Sequence, residues 1–153
     1  MSAILDNLCD YRRYCWNQSL EVWMSLVQQR QEHLPADLRL KVKQAVKDKS
    51  ITFTDAESAL LIQYPAPTYY TVRKILTGDK QDWQRQLSSR ALYLAVDDLA
   101  KAWNYYFNNK DKASLHAGKP SFKEKKQPKQ GFKTDRSQIK NGKLVLDKPR
   151  QYK

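Results

Sequence analysis

Up to residue 109 the apolar residues of this chain recur at helical spacings; beyond it they do not, and that change of texture limits what the chain can build. Cys9, Trp16, Leu20, Trp23, Met24 and Val27 fall three, four or seven apart, the stripe of one long helix from about Ser2 to Glu32. His33-Leu34-Pro35 ends it. A second helix follows Pro35 with Leu38, Val42 and Val46 on one side, flanked by Arg39, Lys41, Lys43 and Lys47, which read as a solvated face in preference to a phosphate-binding one. Thr54 and Glu57 form a capping box for a third helix, whose buried positions are Ala56, Ala59, Leu60 and Ile62. Pro65 and Pro67 break the chain before Thr68, which caps a fourth helix carrying Tyr69, Val72, Ile75 and Leu76 as far as Gly78. Ser88 or Ser89 opens the clearest one, in which Leu92, Val96, Leu99, Trp103 and Tyr106/Phe107 recur through Asn109.

After Asn109 come three of the four glycines (Gly118, Gly131, Gly142) and three of the six prolines (Pro120, Pro128, Pro149). Ser121-Phe122-Lys123 reads as a short strand. Residues 131–146 read as a hairpin around Asn141-Gly142, a pair that supplies the positive φ values of a type I′ turn. Its apolar positions are few, and an isolated two-stranded hairpin is marginal in water. The expected fold is therefore mainly α: an antiparallel helical bundle followed by a short, incomplete, basic β segment, α+β overall. The division falls at 1–109, a helical region, and 110–153, the basic hairpin segment.

Charge divides at the same place. Residues 110–153 hold fourteen of the 28 bases against four acids, a net +10; residues 1–109 hold fourteen bases and twelve acids. A nearly neutral apolar body joined to a polycationic segment is the layout of a polyanion binder, and nucleic acid is the first partner to expect. Four tryptophans and a hydrophobic share of 41% supply a core. No apolar run approaches the ~20 residues of a membrane span, and the acidic, discontinuous N-terminus does not resemble a signal peptide. A cytoplasmic chain with no membrane partner is the expectation. Cys9 and Cys15, six residues apart on a helix, face different directions and read as two reduced core thiols. His33 and His116 stand alone, so neither a metal nor any other cofactor is expected.

No glycine-rich phosphate loop, metalloprotease helix or nucleophile elbow is present, and no catalytic residue is assigned. Asp97 and Asp98 are adjacent, so they do not converge from one helical face; both read as solvated carboxylates. The candidate binding residues are Lys119, Phe122, Lys123, Lys125, Lys126, Lys129, Lys133 and Arg136, bases interleaved with aromatic rings. Such a pattern suits phosphate neutralisation together with stacking on unpaired bases, the alternative being a solvated basic tail that merely aids solubility. Lysine far outnumbers arginine there, which favours phosphate contacts over bidentate base reading. A second candidate is the 54–77 helix-break-helix. Its two-proline break is not a characteristic helix-turn-helix turn, so a generic helical hairpin packed on its neighbours is the preferred reading. A helix-turn-helix DNA-binding regulator with Thr68, Tyr69, Thr71, Arg73 and Lys74 near the groove is the rival. A helical protein-interaction module, or a non-functional remnant, is the remaining alternative.

Residues 9–23, CDYRRYCWNQSLEVW, resemble the R-x-x-(Y/W)-N-x-x-L-E helix near the start of OrfB/TnpB-type transposon-encoded proteins. Residues 87–107, LSSRALYLAVDDLAKAWNYYF, are similar to their S-x-x-L-x-x-A-x-x-D-L-x-x-A-(F/W)-x-x-F-F helix, with Tyr106 in place of the first closing Phe. GKPSFKEKK (118–126) looks like their G-x-P-x-F-K-x-K segment, and 131–148 like the strand-turn-strand after it. The resemblance implies the N-terminal half of an RNA-guided, RuvC-type DNA nuclease, with the helices as a recognition lobe and the basic segment as part of a small barrel that grips RNA and duplex DNA. Under it Arg13, Asn17, Glu21, Asp98 and Trp103 organise the scaffold, and Lys119, Lys123, Lys125 and Lys126 contact backbone. The family begins with a basic strand, whereas this chain begins almost at the helix. It also stops at Lys153, ahead of the nuclease strands and their metal-binding carboxylates. The implied protein is a transposase portion without the catalytic half, whose partners are guide-like RNA or DNA and a separately encoded nuclease-bearing remainder.

Overall fold

The structure, a computed structural model, describes residues 2–115, 117–126, 131, 133–135 and 137–145. It is mainly helical. Helix α1 runs Ser2–His33, free of glycine and proline for 32 residues and so about 48 Å long. Pro35, whose ring sets φ at −53°, then opens α2, Ala36–Lys47. Helix α3 is Asp55–Gln63, begun by the expected capping box: Thr54 Oγ1 accepts from the Glu57 amide at 3.2 Å, and the Glu57 carboxylate accepts from the Thr54 amide at 2.8 Å. Thr68 caps α4, Tyr69–Gly78, through the Thr71 amide. A one-turn helix α5, Asp82–Arg85, is too short to leave a periodic signal in the sequence. Ser88 caps α6, Ser89–Asn109, and a 3₁₀ turn at Ala113–Leu115 follows.

Three helices share the core. Tyr11, Cys15, Trp16, Leu20, Trp23 and Leu26 of α1 pack with Val72 of α4 and with Leu92, Ala95, Val96 and Leu99 of α6. Val72, Leu20, Val96 and Leu99 lose all contact with solvent. The buried face of α1 is displaced from the expected stripe: Met24 is half exposed, while Tyr11 and Leu26 are buried in its place. Ser19 also sits inside, its hydroxyl returned to the Cys15 carbonyl at 2.6 Å. Helices α2 and α3 are peripheral. Leu38 is buried, but Val46 is exposed and α3 buries none of its residues; Ile62, expected inside, is 80% exposed. Lys41 of α2 instead pairs with Glu57 of α3 at 2.6 Å and lies over the Phe53 ring.

The hairpin forms as β1, Gln138–Lys140, and β2, Lys143–Val145, antiparallel with Ile139 opposite Leu144. Asn141 (φ 51°) and Gly142 (φ 70°) make the turn as their sequence requires. Among the described residues these two strands make the whole sheet. Leu146 lies outside the described residues. Also among the described residues, no helix is long and apolar enough to cross a membrane.

Candidate nucleic-acid interface

Ser121, Lys123, Lys125, Lys133 and Asp135 of the basic segment are bound to the helical body, with α1 supplying the partners of the first three. Asn17 sits one residue after buried Trp16, on the half-buried margin of α1. Its amide donates to the Lys123 carbonyl at 3.0 Å and accepts from the Lys123 amide at 2.8 Å. One side chain thereby replaces the backbone of a neighbouring strand. Residues 121–123, expected as a short strand, form neither helix nor strand and are held by these side-chain bonds instead. Trp16 donates its indole N–H to the Ser121 carbonyl at 2.9 Å, and the Lys123 ammonium stands 3.9 Å over the Trp16 ring. Burial lowers the pKa of Lys123, and the neighbouring Arg12 charge lowers it further.

A second anchor lies one turn earlier on α1. Arg12 donates to Asp98 of α6 at 2.6 Å, and Lys133 binds the other oxygen of the same carboxylate at 2.8 Å. Asp98, expected in solvent, is thus a buttress between two helices and the basic segment; only a fifth of its side chain is exposed. Burial opposes its ionisation, but hydrogen bonds and charge from Lys133 and Arg12 outweigh it and hold the carboxyl below its usual range. Asp97 fits the expectation better: it is partly exposed and pairs with Lys101 at 2.6 Å along the helix. Arg90 at the start of α6 binds Asp135 through Nε at 3.0 Å, a further clamp on the segment.

These contacts sort the candidate bases. Lys123 and Lys133 hold the segment to the helices. Lys125 is mostly exposed, with its ammonium 3.6 Å from Asp10, which Arg13 also binds at 2.7 Å. Lys119 and Lys126 face solvent, and Phe122 is half exposed. Lys129 and Arg136 lie outside the described residues. Lys119 reaches to 6.0 Å above the Tyr106 ring, beside a feature the sequence reading missed. Trp103 lies nearly parallel to buried Trp23 and to Phe107, with centroids 6.1 and 5.5 Å away. Phe107, expected in the core, is 55% exposed and ends this run of rings at the surface. Its signal was the Y-Y-F cluster at the end of a helical stripe, too many aromatics for one face to bury.

The second candidate set sits on α4. The Arg73 guanidinium stacks 3.8 Å over the Tyr93 ring of α6 and donates to the Tyr69 hydroxyl, so it is held against the body; Lys74 is exposed. Neither residue has a described hydrogen bond or ion pair to the basic segment. The residues implied as scaffold organisers take different parts: Asn17 and Asp98 hold the segment, Trp103 stacks, Arg13 binds Asp10 and Glu21 accepts from Gln18. Among the described residues no three of His, Cys, Asp and Glu are placed to hold a metal ion. Both cysteines are free thiols, Cys15 buried and Cys9 only partly so. Comparison with protein-family models, with curated proteins and with solved structures finds no match for this chain.

Proposed function

We propose that the chain binds nucleic acid through its basic segment, as the recognition-lobe-like and basic part of a TnpB-like transposase. The carrying observation is convergence. Three motifs far apart in sequence meet at one place: Trp16 and Asn17 of the first hold Ser121 and Lys123 of the third, and Asp98 of the second ties Arg12 to Lys133. Trp16, Asn17, Asp98 and Lys123, all positions of the motifs that carry the resemblance, are among the residues that fix the segment on the helices, which supports reading them as one functional unit.

The surface so made is suited to a single strand or a structured RNA. Exposed Lys119 and Lys126 supply phosphate contacts, and Phe122 and Phe107 present half-exposed rings on which an unpaired base stacks. Binding of a labelled single-stranded RNA should weaken steeply between about 50 and about 200 mM salt, as counterion release requires. Removal of residues 110–153 should abolish most of it; unchanged affinity in that variant contradicts the proposal.

A further inference from the structure

A second cationic site stands apart from the basic segment, in the groove where the C-terminal half of α1 meets α2. Its volume is about 470 Å³. Arg30 of α1 faces Arg39 and Lys43 of α2 across it, and Val27, Leu40 and Pro67 form an aliphatic lining. Arg39 and Lys43 are four residues apart on one helix and so share a face. No acid lines the groove.

Among the described residues none of the three cations is in an ion pair with an acid. The nearest alternative on α2, Lys41, is already paired with Glu57. Arg30 is oriented by donating to the Tyr64 carbonyl at 2.6 Å, which uses one of its five N–H donors and none of its charge. Arg39 keeps its Nε buried with no hydrogen-bond partner among the described residues. A buried guanidinium donor left unsatisfied is costly, and its planar fork matches a phosphate. Three converging positive charges beside an apolar wall favour a doubly charged tetrahedral anion over a singly charged one.

We propose that this groove binds a phosphomonoester dianion, with Arg39 and Lys43 on one side of the phosphate and Arg30 on the other. The site stands independently of the nucleic-acid reading. Its phosphate can come from a small metabolite or from the end of a strand; both share the chemistry.

The test is a titration of the intact chain with inorganic phosphate at constant ionic strength, followed by NMR at the Nε–H of Arg30, which lines the groove and is left unvaried. A saturable shift is expected. R39Q and K43Q should each weaken it at least tenfold; R39K, which keeps the charge and loses the fork, should fall between; K126Q should leave it unchanged. Absence of a saturable shift, or a shift indifferent to R39Q and K43Q, overturns the site. A second arm compares one RNA with and without a 5′-phosphate. A preference for the phosphorylated strand that K43Q removes identifies a strand end as the source, while phosphate binding without that preference identifies a small ligand. K119Q/K126Q should lower RNA affinity in both arms and leave phosphate binding intact, so failure of either reading shows separately.

Discussion

Asn17 is a residue whose role no pattern of apolar spacing announces. Its amide satisfies both backbone groups of Lys123, and a shorter side chain leaves them without partners at a partly buried place. Asn17→Ala should therefore destabilise the chain by about 1–3 kcal/mol in urea unfolding followed by Trp fluorescence, to which Trp16 contributes directly. Asp98 gives the pH counterpart. Its folded pKa lies below its unfolded value near 3.9, so its ionised form stabilises the fold above that value. The contribution should fall away as pH drops from about 4 through the folded pKa, and Asp98→Asn should flatten that part of the stability profile. Cys15 is the simplest case. Burial pushes its thiol up to about 12, so native protein at neutral pH should leave it unmodified by a thiol reagent until denaturant is added.

At the scale of elements, α1 is the axis on which α4, α6 and residues 121–123 are placed. Leu20, fully enclosed between α1, α4 and α6, is the position where truncation should be felt most: Leu20→Ala should cost about 2–5 kcal/mol in the same unfolding experiment. The extents of α1, α2, α3, α4 and α6 were legible because caps and prolines act locally, as Thr54 and Pro35 do. Which face each helix buries was less so. Ile62 and Met24 satisfy helical spacing as well as Leu20 does, but burial depends on whether another element arrives opposite, and periodicity carries no information on that. The same limit hid the seat of residues 121–123. The Asn17 amide that holds Lys123 lies more than a hundred positions away.

For the whole molecule, the charge division survives in altered form. The positive segment is neither detached nor uniformly available: Lys123 and Lys133 bind it to the body, while Lys119 and Lys126 face outward. Salt dependence and stability should consequently separate by residue, a distinction that net charge alone does not make. The most direct measurement is the slope of log affinity for single-stranded RNA against log salt, for the intact chain, for K119Q/K126Q and for Asn17→Ala. The double variant should have unchanged stability and a slope shallower by about 1.4, two phosphate contacts' worth, and Asn17→Ala should lose stability first. An intact chain whose RNA affinity is insensitive to salt, or a K119Q/K126Q slope identical to it, contradicts the account.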